Sequence, residues 1–237
     1  MCTVTYIPLD LPSFQNLQGL SNNFILTSNR DEKTARPQAI FPTKETINGV
    51  EVTFPLDPQG GGTWIASSLS KTVCLLNGAF EPHIPKLKYK HSRGWVPKAY
   101  FGYDSAAEFI KKYDFEGIEP FTLVIKESEN LFEIRWDEKD IFSHRLNGAQ
   151  SNIWSSVTLY SPEIRVQREY FFEKWLSEHK PLLTKNPNLI FEFHQFENKE
   201  NEGILINRNE WLKTVSISSI RKMYSTLDFE YRDLKKK

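Results

Sequence analysis

Hydrophobic and polar positions alternate along this chain in short runs, and the pattern predicts a protein built mainly from strands. The apolar runs are rich in β-branched and aromatic residues and are separated by turn-forming residues, as is typical of antiparallel strands. The predicted strands are residues 2–9, 23–31, 49–54, 63–67, 71–76, 121–126, 131–136, 141–146, 151–159, 212–220 and 224–231. The three runs between 121 and 146 predict an antiparallel meander.

Helix signals lie between these strand sets. Ser105 with Glu108 has the spacing of a capping box, and Ser161-Pro162 places an N-cap before a helix that should run to about His179. Asn186-Pro187 predicts a further short helix. Residues 34–42 predict a loop, and the three glycines at 60–62 would permit close approach of a ligand.

No internal repeat or change in composition marks a boundary in the 237 residues. We therefore predict one α+β domain over residues 1–234, followed by a frayed basic tail at 235–237.

Composition narrows the possible partners. Thirty basic and thirty acidic residues give a formal net charge of zero, so the overall charge does not favour nucleic acid or an anionic membrane. No apolar run reaches the ~20 residues of a membrane-spanning helix, and the first residues lack a secretory pattern, so a cytoplasmic location is expected.

The two cysteines form no disulfide framework, and Cys74 lies in a strand-like apolar run typical of a core. The five histidines lack metal-ligand spacing, so no metal or cofactor is expected.

The start of the chain, Met1-Cys2-Thr3, carries a candidate nucleophile. Removal of Met1 would leave a thiol and a free α-amine on Cys2. Their reference pKa values, about 8.5 and about 8, let the amine take the proton of the thiol near neutral pH. This is the logic of an N-terminal nucleophile, although a cysteine at position 2 can also occur by chance.

Pairing of the first two predicted strands would bring charged residues to Cys2. A hairpin centred near Asn16 places Cys2 close to Arg30, within the string Asn29-Arg30-Asp31-Glu32. Taken alone, Arg30 and Asp31 are better interpreted as an ordinary surface ion pair of little energetic value.

That string, following Met1-Cys2-Thr3, resembles the signature of the NRDE family of transport and Golgi organisation 2-like proteins. Three further stretches resemble the family pattern: Arg36-Pro37, Gly61-Gly62-Thr63-Trp64-Ile65 and, more loosely, Trp154-Ser155-Ser156-Val157-Thr158-Leu159-Tyr160-Ser161-Pro162. The resemblance implies a fold similar to N-terminal-nucleophile (Ntn) hydrolases, a four-layer αββα sandwich with two antiparallel sheets.

Site residues follow from the same resemblance. Cysteine-type acylases of the Ntn class combine an N-terminal Cys with an Arg and an Asp, here Cys2, Arg30 and Asp31, and an oxyanion-hole Asn that Asn77 matches. In those enzymes Arg and Asp are separated, whereas here they are adjacent. A second active-site Asn of the acylases is a serine here, with Asn152 nearby.

The implied reaction is hydrolysis of an amide, thioester or ester bond of a small acylated substrate through a Cys2 acyl-enzyme. Arg30 would lower the pKa of the thiol, Asp31 would orient the α-amine, and Asn77 would donate to the oxyanion. The expected substrate-binding residues are Asn29, Trp64, Lys88, Lys90, Ser155 and Ser156.

Alternatives stay open for these residues and for the function as a whole. Asn77-Gly78 can be a simple turn, Trp64 can be a core residue, and the basic segment at 81–98 can be a solvated loop rather than a site for an acidic substrate. The whole chain can also be a non-enzymatic carrier or trafficking protein, binding haem or a lipid with the same fold.

Overall fold

The computed structural model describes residues 3–9, 22–198, 203–208 and 211–235. It confirms an α+β protein with two antiparallel sheets. Its contacts define two compact units, the first formed by the chain up to Arg36, by Gly148–Ser155 and by the chain from Leu159 onward. The second comprises Pro37–Asn147 and Ser156–Thr158. The single domain predicted for residues 1–234 stays a prediction, and of the predicted tail Lys236 and Lys237 lie outside the described residues.

Thirteen strands and four α-helices are formed by the described residues. The strands are β1 Thr3–Pro8, β2 Phe24–Lys33, β3 Ile40–Ile47, β4 Val50–Leu56, β5 Ile65–Ser67, β6 Lys71–Asn77, β7 Phe121–Glu127, β8 Asn130–Trp136, β9 Ile141–Leu146, β10 Asn152–Ser155, β11 Asn207–Arg208, β12 Leu212–Met223 and β13 Thr226–Asp233. The helices are α1 Trp95–Tyr100, α2 Ala106–Lys112, α3 Pro162–Leu183 and α4 Ile190–His194, with a 3₁₀ turn at Pro187–Leu189.

The first unit contains a six-stranded sheet in the order β10-β1-β2-β12-β11, with β13 also paired to β12. Thr3 lies opposite Asn29, so the predicted pairing of the first two strands is confirmed over the described residues. Apolar residues of these strands pack on α3 and α4 in a cluster that includes Ile7, Ile25, Ile217, Phe172, Trp175 and Phe193. This core fixes one face of the sheet against the helices.

A bulge in β12 sets which residues share a face. Asp31 lies opposite Thr214, but the preceding residue of β2, Arg30, lies opposite Ser216. Val215 is therefore an extra residue in β12. Opposite residues in an antiparallel pair share a face, whereas neighbours along a strand alternate. Asp31 with Thr214 and Arg30 with Ser216 therefore occupy opposite faces of the sheet.

The second unit contains a seven-stranded sheet in the order β3-β4-β5-β6-β7-β8-β9, and β7–β9 confirm the predicted meander. The loop prediction for residues 34–42 is wrong at its end, because β3 begins at Ile40. This edge strand is largely exposed and contains Pro42 at a register irregularity, so it lacks the buried alternation that identifies a strand.

Two element boundaries also differ from prediction. The helix that begins after the Ser161 cap passes His179 and continues through Pro181 to Leu183. The strand predicted for residues 151–159 ends at Ser155, since the Ser156 hydroxyl turns to donate to the Asn77 carbonyl and contacts the Thr158 hydroxyl.

The glycines at 61 and 62 pack closely against other residues of the second unit rather than lining an open site. A Cβ on Gly62 would lie 2.2 Å from the carbonyl carbon of Gly94, and one on Gly61 would lie 3.2 Å from the Trp95 ring. Gly61 and Gly62 therefore serve local packing in the second unit. No helix among the described residues is both long and apolar enough to span a membrane.

Candidate functional site

The Asn29 side chain connects β2 to two segments that the sequence separates widely. Its Nδ2 donates to the backbone carbonyls of His194, at 3.0 Å, and Ile204, at 2.9 Å. Its Oδ1 lies 2.6 Å from His194 Nδ1. Asn29 is fully buried, so the first residue of the NRDE string has a structural role. Its predicted contact with substrate stays a prediction.

His194 is held in one tautomer by these contacts. Since Asn29 Oδ1 can only accept, His194 Nδ1 carries the proton, and Nε2 accepts from the Thr5 hydroxyl at 2.8 Å. Burial, with a smaller contribution from the charge of Arg168, lowers the pKa of His194 to about 3. The ring is therefore neutral at physiological pH and serves as a fixed connection between β1, β2 and α4.

Asp31 is positioned by two hydroxyl groups. Thr214 donates to Oδ1 at 2.6 Å, and Tyr160 donates to Oδ2 at 3.1 Å. All three side chains are almost completely buried. A buried carboxylate is stabilised by such donors, so the orientation of Asp31 is fixed by the fold rather than by solvent.

Arg168 extends from α3 to the start of β1. Its Nη1 donates to the Thr3 hydroxyl at 2.7 Å, its Nη2 donates to the carbonyl of Gly203, and its guanidinium lies 3.6 Å from the centroid of the Tyr160 ring. The Arg208 guanidinium lies 5.2 Å from the same centroid. A buried cation and a buried carboxylate thus approach one tyrosine, which contacts both.

Two predicted substrate-binding residues flank Thr3. In the sheet, Thr3 lies opposite Asn29 on one side and Ser155 on the other. Cys2 and Met1 lie outside the described residues, and Cys2 directly precedes Thr3 in the sequence. Asn29, Asp31 and Ser155 are therefore brought together around the first described residue of β1, with Arg30 on the opposite face of β2.

The remaining candidates lie in the second unit, where Asn77 ends β6. The Asn77 carbonyl accepts from Ser156 at 2.8 Å, and Gly78, at φ +83°, follows it. Trp64 is buried. The exposed Lys90 pairs with Asp114 at 2.5 Å, and Lys88 is exposed. The roles predicted for these five residues stay predictions.

The basic segment forms ion pairs with the rest of the second unit. Lys86 pairs with Glu138, Arg93 with Glu119 and Lys98 with Glu45, in addition to the Lys90–Asp114 pair. Much of its positive charge is therefore balanced locally. Among the described residues, no group of three His, Cys, Asp or Glu side chains could hold a metal ion.

Sequence reasoning missed four residues of this network: Tyr160, Arg168, His194 and Thr214. Tyr160 belongs to a stretch that resembles the family pattern, so the signal for it was present. Arg168 lies on a helix with many charged residues. Its local sequence does not distinguish it from the more exposed basic residues of the same helix. Thr214 and His194 have no distinguishing neighbours in the sequence.

These observations define an α+β protein with two antiparallel sheets and a buried polar network at the start of its first strand. The sequence matches the Transport and Golgi organisation 2 family over residues 11–226, which is most of the chain, and the protein belongs to that family. No individual curated protein matches the sequence.

Proposed function

We propose that this protein is an N-terminal cysteine hydrolase that cleaves the amide, thioester or ester bond of a small acylated substrate. The observation that carries the proposal is the buried network around Thr3, the residue that follows Cys2. Arg168 binds the Thr3 hydroxyl, and Thr3 lies between Asn29 and Ser155 in the sheet. A strand end fixed in this way suits a nucleophile on the adjacent residue, because catalytic groups need supported positions.

The proposed reaction begins with removal of Met1, which frees the Cys2 α-amine. The amine takes the thiol proton, and the thiolate sulfur bonds to the substrate carbonyl carbon. Collapse of the tetrahedral intermediate breaks the bond to the leaving amine, thiol or alcohol, which receives the proton. Water then attacks the thioester, releases the acid and restores the thiol.

Residue roles in this proposal follow the family resemblance, with support from the geometry for Asp31. A carboxylate fixed by Tyr160 and Thr214 is suited to orient an ammonium or amine group. Arg30 would lower the pKa of the thiol through its charge, and Asn77 would donate to the oxyanion.

The fold and location belong to the same proposal. The two antiparallel sheets are compatible with an Ntn-type αββα sandwich. A cytoplasmic location would suit a catalytic thiol, because reducing compartments keep thiols free.

The experiment that tests the proposal combines intact mass with labelling by an electrophilic acyl probe. We expect a mass without Met1, and peptide mapping should place the probe on Cys2. Cys2→Ala should abolish labelling and turnover of a panel of N-acyl amino acids and acyl thioesters. The matched control is Cys74→Ala, since Cys74 is the other cysteine and is buried in β6.

Retention of Met1 would contradict the proposal, because no free amine would then adjoin the thiol. Unchanged turnover in Cys2→Ala would remove Cys2 from the mechanism. Retention of Met1 together with an absence of turnover would favour the second candidate, a carrier of haem or lipid.

A further inference from the structure

The two faces of the sheet in the first unit differ in how their hydroxyl groups are satisfied. On the face that carries Asn29 and Asp31, Thr5 bonds to His194, Thr27 bonds to Ser219 at 2.9 Å, and Thr214 bonds to Asp31. On the opposite face, the Oγ atoms of Ser216 and Ser218 are buried and make no hydrogen bond to any described group.

These two serines stand in polar rows that cross the sheet. Ser216 lies between Arg30 on β2 and Asp233 on β13, and opposite residues share a face. In the adjacent row, Ser218 lies between Ser28 and Tyr231. The six side chains therefore form one polar surface on the Arg30 face, which we term the serine face.

An unsatisfied buried hydroxyl costs free energy that alanine at the same position would avoid. Both serines are fully buried, so solvent does not replace the missing partner. Ser216 is close enough to the phenol of Tyr231 to lower the pKa of that phenol, against the larger opposite effect of burial, although the two hydroxyls do not have the distance and angle of a well-formed hydrogen bond. Two adjacent hydroxyls in this state indicate that a ligand supplies the partner.

The donors of the serine face suit an anion. Burial and the nearby charge of Arg30 lower the pKa of Lys235, and the charges of Asp233 and Glu32 oppose this effect. Lys235 Nζ is held by the carbonyls of Thr34, at 3.1 Å, and Arg36, at 2.6 Å. The Arg30 guanidinium, with the hydroxyl donors of Ser216 and Ser218 on the same face, suits a single carboxylate.

We propose that Arg30, Ser216 and Ser218 bind a carboxylate on the substrate, which makes the substrate an N-acyl amino acid or a similar acylated acid. This inference rests on the proposed function, and it assigns Ser216 and Ser218 as substrate-binding residues. It also gives Arg30 a role in recognition, because two nitrogens of its guanidinium can each donate a hydrogen bond to an oxygen of the carboxylate.

Binding to the Cys2→Ala protein tests the assignment without turnover. The probes are acetylglycine, hexanoylglycine and dodecanoylglycine, each compared by calorimetry with its uncharged glycinamide. We expect at least one acid to bind about tenfold more tightly than its amide, a ratio that reflects charge-assisted hydrogen bonding. Adding Ser216→Ala or Ser218→Ala should weaken binding of that acid roughly threefold to tenfold and leave the amide unchanged.

Ser219→Ala is the matched control for these variants. Ser219 neighbours Ser218 on the same strand, is equally buried, faces the other side and is bonded to Thr27. Its replacement should lower Tm and leave the affinity for the acid unchanged. Ser218→Ala should keep or raise Tm, because it removes an unsatisfied group.

Three outcomes would overturn the assignment. They are equal affinity of acid and amide in all three pairs, unchanged acid affinity in the Ser216→Ala and Ser218→Ala double variant, and a loss of Tm in Ser218→Ala as large as in Ser219→Ala. Binding of the acylglycines to the Cys2→Ala protein is measured in the absence of hydrolysis. Failure of Cys2 labelling would therefore remove the hydrolase proposal separately from the serine face.

Discussion

His194 Nδ1 lies 2.6 Å from Asn29 Oδ1, and this contact holds a neutral imidazole within the core of the first unit. The first residue of the NRDE string is thus bonded to a helix 165 residues further along the chain. Protonation of Nε2 would place a positive charge on the buried His194 ring. Burial and the positive charge of Arg168 both oppose that protonation.

Stability should consequently fall as the pH falls below the normal pKa of histidine. The folded pKa of His194 is lowered to about 3 from 6.5, so the unfolded chain binds a proton first, and the stabilisation present above pH 6.5 is lost toward pH 3. The slope from this group approaches about 1.4 kcal/mol per pH unit. Urea unfolding at pH 7 and pH 5 measures it.

The control for this prediction is His194→Gln, which removes the titrating group. Other groups contribute to both proteins, so the difference between their pH dependences isolates His194. Equal pH dependence in the two proteins would contradict the neutral, buried state.

Tyr160→Phe should destabilise the protein and slow the labelling of Cys2. The change removes the hydroxyl that donates to Asp31 at 3.1 Å and keeps the ring beside Arg168. We expect a loss of about 1–2 kcal/mol in the free energy of unfolding, since the acceptor is a buried carboxylate. The control is Tyr170→Phe on α3, where the side chain is exposed. An unchanged labelling rate in Tyr160→Phe would show that the orientation of Asp31 does not matter to the thiol.

Gly78→Ala should destabilise the second unit through a steric clash. Gly78 has φ +83°, and a Cβ there would lie 2.5 Å from Val157 Cγ2. Gly49→Ala is the matched control, with φ +79° and no atom within 4 Å of the added carbon. Backbone strain of about 1 kcal/mol is common to both, so the excess loss in Gly78→Ala measures the packing. Equal losses in thermal unfolding would show that the 156–158 segment can move away.

Charge reversal of the basic segment tests the predicted contact with an acidic substrate. Lys88→Glu should weaken binding of an acidic substrate if Lys88 approaches it, and Lys90→Glu should add to the loss. Both side chains are exposed, so folding should be little affected. Lys44→Glu, at another exposed pair, serves as the control. Unchanged affinity would identify the segment as a solvated loop.

The strand content was predictable because most strands have regular apolar patterns. Thr3–Pro8 and the three strands of the meander follow that rule, and Ser161 marks the start of its helix as expected. The pairing of Thr3 with Asn29 followed from the position of the two strands alone. These features depend on local sequence, which is what a pattern records.

The polar network could not be predicted in the same way. Arg168 bonds to Thr3 and Asp31 bonds to Thr214, pairs separated by 165 and 183 positions. Residue type cannot show that Arg168 is buried while its helical neighbours are exposed. Arg30 and Asp31 are adjacent in the family signature, but the geometry of the strand places their side chains on opposite faces of the sheet. The two residues therefore have different environments.

The extra residue at Val215 restricts which insertions and deletions β12 can tolerate. Because side chains alternate in a strand, deletion of one residue there would move Ser216 and Ser218 to the helix side and Ser219 to the other. Insertions and deletions in β12 should therefore be rejected under selection even where single substitutions are accepted. A library of one-codon deletions along residues 212–223 would show this as a sharp loss of folded protein.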